Sequence, residues 1–296
     1  MNNVSNALYG GRHQKVLDHP DHRAGVNHGT MTVTAVAEIA PSVVRVTATL
    51  DHDGDAERWR VTNPAIRLEL PDVKSDAMVS RVYTVRDYRE SSAGVRELDV
   101  DIVRHEGDSP VMRWLAAAQP GIAVRILGPR PHFCPAIVSE RPAWMFADET
   151  AIPALATILR DWVQPGVRGE AWVETPDEAV FTELEAPEGV ALHWLPRPTD
   201  EPPGTTGRLV AAALEASSAF AEPVTVWAGG EHQEMRQIRD HFRHDRGMDR
   251  TEVQVFGYWR RSRTSSQVDE ARLQRYEEAL KHSSRMAPLD DFDVQD

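Results

Sequence analysis

The stretch "AWMFADETAIPALATILRDWV", residues 143–163, changes character partway along. It begins with five apolar residues in a row, the pattern of a strand buried on both faces. After the polar turn Asp148-Glu149-Thr150, apolar residues recur at helical spacing, and Pro153 sits where the first turn of a helix tolerates it. A buried strand feeding an amphipathic helix is the repeating unit of a parallel sheet flanked by helices.

Downstream the unit repeats. "GEAWVET" (169–175) and "VALHWLP" (190–196) read as strands, "GRLVAAALEASSAF" (207–220) as a helix, "PVTVWAGG" (223–230) as a strand entering the helix "EHQEMRQIRDHFRHDRG", and "EVQVFGYW" (252–259) as a last strand. Such sheets bind ligands beyond the carboxyl ends of their strands. "RRSRTSS" then breaks the pattern, and "SQVDEARLQRYEEALKH" resumes as a helix, with Ser266 and Asp269 spaced like a capping pair. The acidic ending "PLDDFDVQD" reads as frayed.

Upstream the pattern is mainly β. "MTVTAVAEIA", "PSVVRVTATL", "AIRLEL" (65–70), "SRVYTVRDY" (80–88), "RELDVDIVRH" (96–105) and "IAVRILG" (122–128) are six short strands, enough for a closed or nearly closed antiparallel barrel. One helix, "SPVMRWLAAAQPG" (109–121), interrupts them, with Ser109 and Pro110 as its opening residues. The expected organisation is a flexible tail over 1–30, a barrel over 31–135, an α/β domain over 136–261 and a helical extension with an acidic tail over 262–296.

Composition narrows the chemistry. A single cysteine, Cys134, leaves no intramolecular disulfide, zinc ribbon or cysteine-held iron–sulfur cluster, so electron transfer would need an organic cofactor. The net charge of −13 argues against a nucleic acid as the main partner. No apolar run of eighteen or more residues and no signal-peptide core occur, so a cytoplasmic protein with no integral membrane segment is expected. His13, His19, His22 and His28 lack ligand spacing, and no protein-bound metal is expected.

Several residues carry two readings each. In 80–88, strand alternation puts Arg81, Tyr83 and Val85 on one side and Val82, Thr84 and Arg86 on the other, which suits either a solvated strand or one holding an anionic, aromatic ligand. Asp148 and Thr150 cap a helix or face a cleft, and Gly229 and Gly230 allow close backbone approach to a ligand. Arg236 and Arg239, on a similar helix face, meet a nucleotide phosphate or pair with Glu231, Glu234 or Asp240. His105 at a strand end and Trp259 at another are exposed and core residues respectively, or site residues.

"RVYTVR", "HEGDSPVMRWLAAAQPG", "FADETAIPALATIL", "VWAGGEHQEMRQIR" and "GYWR", in that order, resemble the landmarks of the siderophore-interacting proteins, bacterial ferric-siderophore reductases of ferredoxin-reductase-like fold. The resemblance covers about residues 31–261. It implies a six-stranded antiparallel FAD-binding barrel, then a parallel-sheet NAD(P)H-binding-like domain. Arg81 would pair with the FAD pyrophosphate, Tyr83 pack against the cofactor, Thr84 stand near flavin N5 and His105 face the adenine or ring side. The helix opened by Ser109 would aim its amides at the pyrophosphate, although Met112 stands where the family has a hydroxyl. Asp148, Glu149 and Thr150 would lie beside the flavin and Trp259 shield it. NAD(P)H would meet Glu149, Gly229, Gly230, Arg236 and Arg239, and an anionic ferric chelate would meet Arg130, Arg260, Arg261 and Lys74. Arg86 would pair with Asp99 or Asp101 if it does not touch a ligand, and Pro131 and His132 depart from the family's glycine-rich continuation.

The implied activity carries electrons from NADH or NADPH through FAD to chelated Fe(III), with no acid or base at the metal step, in a monomer. The rival readings are a ferredoxin-driven siderophore reductase, a flavin redox partner in another pathway, and a non-enzymatic flavin- or siderophore-binding protein.

Overall fold

A computed structural model describes residues 16, 19–20, 27–52, 54–74, 77–137, 141–162, 166–219, 222–261 and 263–282. Two units emerge, one of Met1–Ala37, Arg45–Pro131 and Arg263–Asp296, the other of Glu38–Val44 and His132–Ser262. The segment read as a separate extension therefore belongs with the barrel strands. The α-helices of the described residues are α1 (Pro110–Ala117), α2 (Ile152–Arg160), α3 (Glu178–Thr182), α4 (Arg208–Ala219), α5 (His232–Asp240) and α6 (Ser265–His282).

The first sheet contains β1 (Asn27–Ala40), β2 (Val43–His52), β3 (Pro64–Asp72), β4 (Ala77–Thr84), β5 (Asp87–Glu90), β6 (Arg96–Val103) and β7 (Ala123–Pro131), in the order β4-β3-β7-β1-β2-β6-β5. There are seven strands where six were expected, because 80–88 is two strands rather than one. At the break, Val85 N donates to Pro64 O (2.8 Å) and the next amide, Arg86 N, donates to Asp99 O (2.9 Å). Consecutive amides thus bond to β3, next to one end of the sheet, and to β6, next to the other, which draws the sheet toward closure. Strand alternation fills the interior: Ile66, Leu68 and Leu70 of β3 face Leu98, Val100 and Ile102 of β6 within one apolar core. The tail expectation needs correcting at two points, since Val16 is fully buried in this core and β1 begins at Asn27. Apart from residues 19–20, the rest of the tail, and the acidic ending, lie outside the described residues.

The second sheet is parallel, in the order β10-β9-β8-β11-β12, from β8 (Ala143–Asp148), β9 (Gly169–Thr175), β10 (Val190–Pro196), β11 (Thr225–Glu231) and β12 (Val253–Trp259). Central β8 is buried throughout, as its unbroken apolar run requires. The five strands start within two residues of their expected positions. Short α3 was not foreseen, because five residues carry too little periodicity to read. Among the described residues no helix is long and apolar enough to cross a membrane.

Candidate functional site

In the first unit, β4 turns Arg81 inward, only 7 % exposed, while neighbouring Val82 is 48 % exposed. This excludes the solvated-strand reading. Arg81 donates to Ser80 O (2.7 Å) and to Ser266 Oγ on α6 (2.6 Å), and stands 3.9 Å from Asp269. Arg67 of β3 donates to Ser80 Oγ (3.0 Å) and lies 3.9 Å from the other oxygen of Asp269. Arg130 of β7 pairs with Ala65 of β3 in the ladder. Burial, followed by repulsion from Arg67, pushes its guanidinium below the usual arginine range. Arg81 and Arg67 thus share Asp269, and Arg130 on the adjacent strand is near enough to feel Arg67 and Tyr276, a grouping of guanidiniums suited to an anion with several oxygens.

The other expected contacts of this unit are spread more widely. Tyr83 packs against the core, and burial pushes its phenol above the usual range. Thr84 ends β4 opposite Ala65. His105 is exposed but meets Ser109, with Nε2 3.3 Å from its Oγ, and Ser109 caps α1 by accepting from Met112 N (3.2 Å). Arg86 pairs with Asp101 (3.4 Å), one of its two expected partners. Lys74 is held by Asp108 at the surface (3.4 Å).

In the second unit, the carboxyl end of β8 brings Asp148, Thr150 and Trp259 together. Asp148 accepts from Thr150 N (2.9 Å), Thr150 Oγ1 and Trp259 Nε1 (2.7 Å). The side-chain cap reading fails, because Ala151 is the N-cap of α2 and lacks a side-chain bond. Both glycines allow close approach within the chain itself. A Cβ on Gly230, whose φ is +159°, would lie 2.9 Å from the Asp148 carboxylate, and one on Gly229 would lie 2.9 Å from Ala151 Cβ. Arg236 and Arg239 both turn to Asp240, at 3.8 and 2.7 Å, which favours the paired reading over the phosphate one. Arg260 is buried and donates to His232 Nε2 (2.6 Å), so its guanidinium is not presented at the surface as a substrate contact would require. Arg261 reaches Gly204 O (3.1 Å) with its guanidinium and Glu231 with its amide (3.2 Å).

Sequence reasoning missed what surrounds Glu149. Arg197, 8 % exposed, donates to Glu149 (2.7 Å) and to Glu201 O (2.9 Å) and lies 3.7 Å from Glu174 at the end of β9. Thr206 Oγ1 donates to Glu174 (2.7 Å) and Gly207 N to Glu234 (2.9 Å), so the segment 197–207 laces over three buried carboxylates. Burial lifts Glu149 to about 7 against the pull of Arg197. Burial, reinforced by the charge of Glu174, lifts Glu234 to about 7. Asp148 and Glu174 are likewise pushed up by burial. The available signal was Arg197 between two prolines, directly after a strand.

Residues 71–133 match the family model described as siderophore-interacting FAD-binding domain, and residues 141–262 that of siderophore-interacting protein. The chain is 32% identical over 279 residues to the ferric acinetobactin reductase of Acinetobacter baumannii, covering 94% of each. The solved structure of the siderophore-interacting protein from Acinetobacter baumannii superposes with a TM-score of 0.78 at 32% identity, covering 86% of this chain and 99% of that one. At the level of fold alone, a ferredoxin reductase in carbazole 1,9a-dioxygenase matches with a TM-score of 0.58 at 14% identity, covering 79% and 70% of the two chains. Barrel strands, parallel sheet and near full-length identity agree: the chain belongs to the siderophore-interacting protein family.

Proposed function

We propose that this chain is an FAD-dependent ferric-siderophore reductase, acting in the cytoplasm as a monomer. The observation that carries the reading is the likeness along 94% of the chain to a protein named for that activity. The first unit fits the cofactor. Arg81 and Arg67 bring two guanidiniums to the single carboxylate of Asp269, which suits a pyrophosphate, and Tyr83 supplies aromatic area on the same strand face as Arg81. When bound, FAD would supply the carrier that takes two electrons from a donor and passes them singly to chelated Fe(III), lowering the chelate's hold on the metal.

In this reading the chain binds, orients and steers. Arg81 and Arg67 hold phosphate oxygens, Ser109 fixes the start of α1, and Thr84 and His105 border the ring system. Lys74 and Arg130 of the first unit, and separately Arg261 of the second, add positive charge that would attract an anionic chelate. NADH or NADPH is the donor in the first reading, beside Glu149 and the glycines of β11. Ferredoxin is the second, favoured by the pairing of Arg236 and Arg239 with Asp240, which occupies the cations expected to meet a nucleotide phosphate.

The test is an anaerobic titration of FAD-loaded protein with NADPH and then NADH, followed by a ferric chelate, reading flavin absorbance and then Fe(II). Bleaching followed by Fe(II) formation is expected. Flavin that stays oxidised with both nucleotides but bleaches with reduced ferredoxin would move the donor to the second reading. Failure to bind FAD would overturn the whole assignment.

A further inference from the structure

Helix α6 begins with a hydrogen-bonded exchange between Thr264 and Gln267: Gln267 N donates to Thr264 Oγ1 (3.3 Å) and Thr264 N to Gln267 Oε1 (2.8 Å). This capping box replaces the expected Ser266 and Asp269 pair and leaves those two side chains available for other work. Ser266, Asp269, Leu273, Tyr276 and Leu280 are spaced three, four, three and four residues apart, which puts them on one face of the helix. Along the last three positions the face packs against the barrel core. At the first two, where packing alone would call for apolar residues, it carries a hydroxyl and a carboxylate, and these meet Arg81 and Arg67. The helix lies outside both segments that match family models.

We propose that α6 is a built-in competitor for the arginine cluster: Ser266 and Asp269 take the positions of anionic oxygens at Arg81 and Arg67, and a phosphate-bearing cofactor binds by displacing the first turns of the helix. The proposal rests on the reading that Arg81 receives the FAD pyrophosphate. Arg81 is 7 % exposed and already bonded to Ser266 beside Asp269, so a pyrophosphate that takes its guanidinium must displace those contacts. A carboxylate is a suitable stand-in, since it presents two acceptors to the same guanidinium fork as a phosphate but carries less charge and yields to it. The apolar stripe at Leu273, Tyr276 and Leu280 keeps the far end of the helix anchored, so displacement need not unfold the unit.

The test uses the full chain, apo and FAD-loaded. FAD affinity is measured by quenching of flavin fluorescence for wild type, Ser266→Ala/Asp269→Asn and Arg81→Ala, with riboflavin as the phosphate-free probe. These substitutions preserve the apolar stripe, so folding is retained. Amide hydrogen exchange over 265–272 is followed with and without FAD. Expected are FAD binding about tenfold tighter in the double variant, riboflavin binding unchanged, and faster exchange at the start of α6 when FAD is bound. Unchanged or weaker FAD binding by the double variant, or a first turn that becomes more protected on loading, would overturn the proposal. Arg81→Ala binding FAD as wild type does would instead overturn the underlying placement of the pyrophosphate.

Discussion

Replacing Arg197 with methionine should destabilise the second unit by an amount that grows with pH. Arg197 is 8 % exposed, contacts Glu149 at 2.7 Å and Glu174 at 3.7 Å, and donates to Glu201 O. Removing one member of a buried ion pair costs about 3–5 kcal/mol when the partner stays charged. Glu149, however, already titrates at about 7 beside Arg197, and without that cation it rises further. At pH 6 the orphaned Glu149 therefore carries a proton, and chiefly hydrogen bonds are lost, roughly 1–2 kcal/mol. At pH 8.5 wild-type Glu149 is ionised and attracts Arg197, and the variant must bury that charge alone or keep it protonated against the solvent. The loss there should approach about 3–5 kcal/mol. Urea unfolding of wild type and Arg197→Met at both pH values, read by tryptophan fluorescence, measures the difference. Glu149→Gln placed in the Arg197→Met background should recover most of the pH 8.5 loss. Equal losses at the two pH values, or a loss below about 1 kcal/mol at pH 8.5, would refute the reasoning.

Wild-type stability should itself fall as pH rises. Glu149 and Glu234 go from an ordinary 4.5 to about 7 on folding, so each contributes stability that is fully present below 4.5 and lost as pH rises through 7. At about 1.4 kcal/mol per pKa unit this amounts to roughly 3–4 kcal/mol per group, and Glu234→Gln should flatten the measured stability-against-pH curve by about half. Gly230→Ala would put a Cβ 2.9 Å from the Asp148 carboxylate on a backbone at φ +159°. It should cost about 1–3 kcal/mol and change the fluorescence contributed by Trp259, which donates to Asp148. Arg81→Ala should weaken FAD binding by less than about tenfold in the wild-type background. In the Ser266→Ala/Asp269→Asn background it should do so by about tenfold to a hundredfold, since a charged hydrogen bond contributes roughly 1.5–3 kcal/mol; flavin fluorescence titration reads both.

The positions of the parallel strands were legible to within two residues, because central β8 and β11 are unbroken buried runs beside helical periods, while β10 and β12 at the sheet edges are only partly buried. The barrel was legible in kind but not in count. Strand periodicity runs unbroken through Val85 and Arg86, and only the switch of hydrogen-bond partner from Pro64 to Asp99 separates β4 from β5. The meeting of Asp148 with Trp259 could be anticipated, since both end strands of one parallel sheet. The partners of Arg81 and Glu149 could not. Ser266 lies 185 residues from Arg81 and Arg197 lies 48 from Glu149, and no local spacing rule reaches that far. At Arg236 and Arg239 the sequence offered three carboxylates as partners, and geometry selects Asp240 for both.

Arg81, Glu149 and the β11 glycines share a property that bears on affinity: each meets a group of the chain itself where a ligand was expected. For Arg81, ligand binding is therefore an exchange. Its guanidinium is bonded to Ser80 and Ser266 before a phosphate arrives, and a phosphate gains only the difference between its own charged hydrogen bonds and those it replaces. Phosphate contacts at Arg81 then set orientation more than retention. Retention falls more to aromatic area such as Tyr83, which is packed against the core and whose ring meets a ligand without exchanging a charged hydrogen bond. It follows that Tyr83→Ala should weaken FAD binding more than Arg81→Ala in the wild-type background, and that neutralising Asp269 should reverse the order. A fixed ranking of the two substitutions, whatever stands at 269, would mean that α6 and the cofactor do not compete for the same guanidinium.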